Sequence, residues 1–171
     1  DRLDAQLIAE YAYRFSDRVK PWEPERMELR KLRKLLAHRK RLLTMKKMVA
    51  QAEQELPVFE DREIAKLQAS LNRPLLKQYE KSLEQVEKAI NDLIKNDAEL
   101  NRLFGLVTSV DGIGPVTAAH LLVHTEGFKR FGDAKKLACH AGVVPFDRQS
   151  GTSIKGRAAV SHRANKPLKQ I

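Results

Sequence analysis

The sequence predicts a mainly α-helical protein: a long antiparallel helical hairpin or coiled coil, followed by a compact helical domain whose Gly112-Ile113-Gly114 turn resembles a helix-hairpin-helix motif. Three observations predict it. All eight glycines lie between Gly105 and Gly156, so the first hundred residues hold none. That glycine-free stretch is rich in Leu, Lys, Glu, Gln and Ala, and there helix propensity and hydrophobic pattern agree. Within it Leu76, Tyr79, Leu83, Val86, Ile90 and Leu93 step by three and four residues, the 3.5-residue period of a seam between packed helices.

From Asp1 to about Ser16, one helical face carries Leu3, Leu7, Ile8, Tyr11 and Phe15. Pro21 and Pro24, around Trp22, break that helix, because each proline biases its predecessor away from the α region. Trp22 is most simply a packing anchor at the junction. A second helix is expected from Glu25 to about Leu56, with Pro57 ending it. A short helix over Asp61–Leu71 follows, and Asn72-Arg73-Pro74 starts the next, with Asn72 as its cap. Asp97 is expected to cap a helix over Ala98–Thr108. Gly112-Ile113-Gly114-Pro115 then forms a tight turn, both glycines permitting positive φ, and feeds a further helix. The last predicted helix spans Asp133–His140 and stops at Gly142. Glycine and small polar residues predict a loop from Gly142 onward.

The 171 residues carry 32 Lys+Arg against 22 Asp+Glu, a net charge of +10, which points to a polyanionic partner through counterion release. Between Arg26 and Lys47 there are ten Lys/Arg and one acid, Glu28; between Glu80 and Leu100 there are six acids and three lysines. An antiparallel pair would set part of the basic run against the acidic one, and the excess would leave a basic outer face. No run approaches the ~18 consecutive apolar residues of a helical membrane span, so a membrane partner is not expected. The single cysteine, Cys139, excludes a disulfide framework and a multi-cysteine zinc site. No leader marks the chain for export. It opens on Asp1 and stops at Ile171 within a basic stretch, and is read as a fragment.

Four groups of residues are candidates for chemistry. Backbone N–H groups at the turn of Gly112 and Gly114, with Thr117 beyond it, can bind a phosphate at a helix N-terminus; a plain connection in a core is the simpler alternative. Arg148, Lys155 and Arg157 surround Ser150, and a serine so placed is a candidate nucleophile if its hydroxyl is activated, although loop serines usually make turns. Asp1 and Asp4 share a helix face and offer hard oxygen ligands for Mg²⁺; acids at a helix start more often stabilise the dipole. His120 and His124 stand four apart, a spacing that can hold a metal, with Cys139 and His140 distant possibilities. No Glu lies between the pair in the metalloprotease pattern, so structural histidines are the expected reading. His38, within the basic run, needs no special role.

Asp1-Arg2-Leu3-Asp4-Ala5-Gln6, Gly112-Ile113-Gly114-Pro115-Val116-Thr117-Ala118-Ala119, Phe131, Ala141-Gly142-Val143-Val144-Pro145 and Gln149-Ser150-Gly151 occur in this order. Together they resemble the insertion-sequence-110-type (116/902) transposases, DEDD recombinases related to the Piv DNA invertase. The resemblance implies a bacterial, cytoplasmic DNA transposase or site-specific recombinase. It further implies Mg²⁺ held by Asp1 and Asp4 with two acids of a RuvC-like domain, and a serine that attacks a DNA phosphodiester. Ser150 matches that serine, with Ser161 the runner-up. DNA, a guide RNA and a dimer or tetramer are the implied partners. One departure is Ser161-His162-Arg163-Ala164-Asn165-Lys166, where the family usually reads Ser/Thr-Lys-x-Gly-Asn.

On this reading residues 1–18 end a RuvC-like domain, 19–96 form the helical hairpin and 97–171 a transposase domain, and the piece alone is expected to be inactive. The rival readings are a non-catalytic nucleic-acid-binding module and a coiled-coil scaffold with no nucleic acid.

Overall fold

A computed structural model describes residues 1–18, 23–59, 61–150, 154–160 and 164–170; Trp22 and Ser161 lie outside the described residues. Helices dominate: α1 (Arg2–Arg14), α2 (Met27–Phe59), α3 (Arg62–Lys95), α4 (Ala98–Thr108), α5 (Pro115–His124), α6 (Ala134–Ala141) and the single turn α7 (Lys166–Lys169). Strands β1 (Pro145–Ser150) and β2 (Ile154–Val160) form one antiparallel pair between α6 and α7.

α2 and α3 pack side by side in opposite directions. Arg39 meets Glu87 and Lys46 meets Glu80, so an advance of seven residues on one helix matches a retreat of seven on the other. Leu32, Leu36 and Leu42 of α2 bury against Leu83, Val86, Ile90 and Ile94 of α3, and Ala119 and Val123 of α5 close the same cluster. Tyr79 and Leu93 of the expected seam sit partly buried at its edge, while Ile94 takes the deeper position. The small side chains of Ala118 and Ala119, both fully buried, let α5 approach the long pair closely. Leu29, Leu100 and Leu122 form a second cluster that ties α4 to α2 and α5. Each such side chain contributes roughly 1.5–3 kcal/mol by leaving water, so the stability resides at this end of the pair. At the far end Leu43, Met48, Ile64, Leu67, Leu71 and Leu75 remain exposed.

Local signals place several boundaries where the sequence puts them. Asp97 accepts a hydrogen bond from the Leu100 N–H at 2.8 Å, and Asp133 accepts one from Lys136 at 2.7 Å; both satisfy orphan donors of a first helical turn. Gly142 ends α6 in the left-handed region, at φ 71°.

Other expectations are corrected. Pro57 does not end α2, which runs on to Phe59, so the proline falls in the last turn. The expected break at Asn72 is absent: α3 is continuous and Pro74 lies inside it, because one missing N–H in a helix this long is outweighed by helix-favouring residues on both sides. Gly114 sits at φ −78°, ordinary extended backbone, so only Gly112 of that turn, at φ 87°, uses positive φ. The expected loop beyond Gly142 contains the β1–β2 hairpin and α7.

Candidate nucleic-acid interface

The register of α2 on α3 divides the basic run into engaged and free groups. Arg26 clamps the start of α4, with Asp97 at 2.5 Å and Glu99 beside it. Arg39 and Lys46 each lie 2.8 Å from their partners on α3, and Arg33 lies 2.8 Å from Glu25. The Leu100 N–H, and then Arg26, hold the Asp97 carboxyl below the usual carboxylate range against the opposing effect of burial. Arg30, Lys31, Lys34, Lys40, Arg41 and Lys47 have no acidic partner among the described residues. Arg30, Lys31, Lys34 and His38 line a groove of about 780 Å³ whose other wall includes Ala89, Asp92 and Leu93 of α3. Positions 30, 34 and 38 follow one another by a helical turn, about 5.4 Å, so the free charges of Arg30 and Lys34 line up along the groove with His38 beyond them.

A second anion-attracting element is the N-terminus of α5. Gly114 caps it without a side chain and Pro115 occupies the first turn, so the Val116 and Thr117 N–H groups have no partner within the helix. Thr117 itself is half-buried, and Gly112 and Gly114 are exposed. A cleft of about 220 Å³ beside Pro115 and Val116 is lined also by Arg39, Glu87 and Asn91, which sets the glycine turn against the long helical pair.

The hairpin gathers the C-terminal candidates. Ser150 ends β1 and pairs with Ile154, Gln149 pairs with Lys155, and Arg148 pairs with Gly156. Of Arg148, Ser150 and Lys155 the structure describes the backbone. Between Phe146↔Ala159 and Arg148↔Gly156 the register shifts: Asp147 faces both Arg157 and Ala158, a bulge that bends the strand and re-aims its side chains. Arg157 is exposed. The backbone therefore brings positions 148, 150, 155 and 157 into one small hairpin.

Asp1 and Asp4 are not brought to that hairpin. α1 packs on no other described element, and its apolar residues Leu3, Leu7, Ile8 and Tyr11 are all exposed. The two carboxylates cap their own helix: Asp1 accepts from the Leu3 N–H at 2.7 Å and the Asp4 N–H at 3.2 Å, and Asp4 accepts from the Asp1 main-chain nitrogen at 3.2 Å. Their oxygens suit a hard cation. Among the described residues no three His, Cys, Asp or Glu side chains cluster as metal ligands, so this pair fits only as part of a larger set.

His120 and His124 stack with ring centroids 6.1 Å apart, and neither joins a metal cluster with Cys139 or His140 among the described residues. Instead the Asn165 side-chain nitrogen lies 3.2 Å from His124 Nδ1 and 3.2 Å from His140 Nε2. Its place in Asn165-Lys166-Pro167, a cap residue before a proline-bearing first turn, is the sequence signal that would have marked it. Burial, and then the neighbouring His124, Arg39 and Lys40, lowers the pKa of His120 below its ordinary 6.5. Burial, then Arg33, His140 and Arg130, does the same for His124. As pH falls the unfolded chain takes up these protons first. The stability contributed is complete above about 6.5 and is lost as pH falls through that value toward the folded-state ones. A thermal melt series from pH 8 to pH 5 is expected to show Tm falling below about 6.5, and His124→Gln is expected to reduce that fall; an unchanged fall would reject the assignment.

Residues 104–171 match the transposase IS116/IS110/IS902 family, a stretch that includes the C-terminal part of α4, the glycine turn, α5, α6, the hairpin and α7. Over 172 residues, 99% of the chain, it is 29% identical to a pilin gene-inverting protein of Moraxella bovis and to another of Moraxella lacunata, covering 49% of each. It is 39% identical over 85 residues to an insertion element IS110 uncharacterized 43.6 kDa protein of Streptomyces coelicolor, covering 50% of the chain and 20% of that protein. The chain thus spans about half the length of the pilin gene-inverting proteins.

Proposed function

We propose, from the match of residues 104–171 to the transposase IS116/IS110/IS902 family, that the chain is part of a DNA transposase or invertase that uses a serine. In this reading residues 1–18 close a RuvC-like domain, 19–96 are the helical hairpin, and 97–171 the transposase domain with its helix-hairpin-helix turn. The observation that carries it is the hairpin that sets Ser150 on one backbone framework with Arg148, Lys155 and Arg157, inside the family-matched stretch. The Ser150 oxygen attacks a DNA phosphorus and gives up its proton, the deoxyribose oxygen leaves and takes up a proton to become a hydroxyl, and the protein is left joined to DNA through a phosphoserine. The basic side chains offset charge that builds on the phosphate oxygens. Asp1 and Asp4 would hold Mg²⁺ together with further acids of the longer protein, and that ion would supply electrostatic polarisation of the phosphate. Residues α1 exposes bring that site to the hairpin only through the rest of the protein or a second copy. A dimer or tetramer, a guide RNA and the bacterial cytoplasm complete the reading.

DNA is held by its backbone along the α2 groove and at the N-terminus of α5, through Gly112, Gly114 and Thr117. Changing Arg30, Lys31 and Lys34 together to alanine is expected to lower the slope of log affinity against log salt by about 2–3, near 0.9 per lost phosphate contact. An unaltered slope removes this face from the interface. The chemistry is tested by trapping: full-length protein with Mg²⁺ and DNA carrying its recombination sites should yield a protein–DNA adduct that survives denaturant. Recombined product without an adduct rejects the serine, and retained binding with neither product nor adduct selects the non-catalytic module.

A further inference from the structure

Asn165 stands where α5, α6 and α7 meet. Its Oδ1 accepts from the Leu168 N–H at 3.1 Å and so caps α7. Its own N–H donates to the His140 carbonyl at the end of α6, at 2.8 Å. With Oδ1 committed to the cap, the amide orientation is fixed, and the side-chain NH₂ faces His124 Nδ1 of α5 and His140 Nε2 of α6, each at 3.2 Å. An NH₂ group only donates. Both ring nitrogens must therefore present lone pairs, which places the proton of His124 on Nε2 and that of His140 on Nδ1. The two amide protons serve one imidazole each, and the side chain is saturated.

This junction lies at the foot of the hairpin. Pro145 pairs with Val160 at the open end of the two strands, and Gly142, just before β1, is flanked by Val160 and Ala164. Asn165 follows β2 by five residues and grips His140, five residues before β1. The bonds from Asn165 close the loop that contains the hairpin and tie the foot of that loop to α5 and α6, against which α7 also packs.

We propose that Asn165 is a positioning residue: its amide, shared between neutral His124 and His140, latches the base of the β1–β2 hairpin to the helical body and thereby sets where position 150 stands. The part of this that concerns strand exchange rests on the Ser150 reading; the latch itself does not. The groups facing it are Arg33 of α2 and Arg130 of the loop after α5, both near His124, His120 stacked on His124, and the Phe131 ring 5.1 Å from His140. Cations on two sides disfavour protonation of His124, and a proton on either bridging nitrogen would oppose an N–H to an N–H.

Asn165→Asp tests it. Aspartate caps a helix as well as asparagine does, so α7 is kept, but a carboxylate accepts where the amide donates. It therefore favours protonated rings at the two positions. In the unaltered chain, ¹⁵N resonances of the imidazoles should show His124 protonated at Nε2 and His140 at Nδ1. In Asn165→Asp both titration midpoints should rise by about one pH unit or more, as for a group gaining an opposite charge in contact. Reversed or mixed tautomers in the unaltered chain, or midpoints unmoved by Asn165→Asp, overturn the latch. In the full-length protein, Asn165→Asp should lower strand exchange at pH 8 and recover it as pH falls and the rings charge, with DNA affinity constant. Normal exchange at pH 8 together with raised midpoints overturns the positioning role. Should Ser150→Ala leave exchange intact while the midpoints move as expected, the serine reading fails and the latch stands.

Discussion

Replacing Ser150 with alanine in the full-length protein is expected to lower strand exchange by a factor on the order of 10⁴ or more, as loss of a covalent nucleophile does, and to abolish the protein–DNA adduct. DNA affinity should stay within about twofold, because the phosphate contacts assigned to α2 and to the turn before α5 are untouched. The magnitude discriminates between mechanisms. A water nucleophile would leave Ser150→Ala near full rate with no adduct in either protein. A serine that merely shapes the hairpin would lower rate and affinity together, and Ser150→Thr would not differ from Ser150→Ala. Retention of an adduct in Ser150→Ala would transfer the nucleophile to Ser161. Position 150 is the end of β1, paired with Ile154, so the change alters one side chain at the strand's end and leaves the ladder intact.

The parts of this fold that could be read beforehand are those fixed by neighbours in sequence. Asp97, Asp133 and Gly142 act within three or four residues of themselves, through caps and a left-handed φ, so α4 and α6 could be bounded closely. Pro74 misled because a proline's effect depends on whether the flanking residues hold the helix without it, and here they do. The hairpin was missed because strand pairing is non-local and the residues between Ser150 and Ile154 lack an Asn-Gly or Asp-Gly turn signal. At the interface, the excess of basic residues on α2 was legible as a count. Which of them remain free was not, since that depends on the register that gives Arg39 to Glu87 and Lys46 to Glu80. Asn165 was visible only as a cap residue within a motif whose departures are His162 and Ala164; its partners His124 and His140 lie 41 and 25 residues away in sequence.

Gly142→Ala should destabilise the chain by roughly 3–5 kcal/mol, about 1–2 of it from an L-residue held in the left-handed region and the remainder from overpacking. The backbone there has φ 71°, and a Cβ would overlap the Cβ of Ala164, with Val160 Cγ1 at 3.4 Å and Ala164 Cα at 3.6 Å as the next atoms met. The overlap is with one methyl group, so it can be removed separately. Ala164→Gly, which restores the residue of the family pattern at that position, should recover the steric part when combined with Gly142→Ala and leave the conformational part. Denaturant titration of the two single variants and the double variant then yields a coupling of about 1–3 kcal/mol of the relieving sign. Additive effects would mean that Gly142 and Ala164 do not touch, and the foot of the hairpin would lose the close approach that lets Asn165 reach His140. A coupling of the stated sign locates the foot of the hairpin at this glycine, two residues from His140 of the latch and eight from position 150.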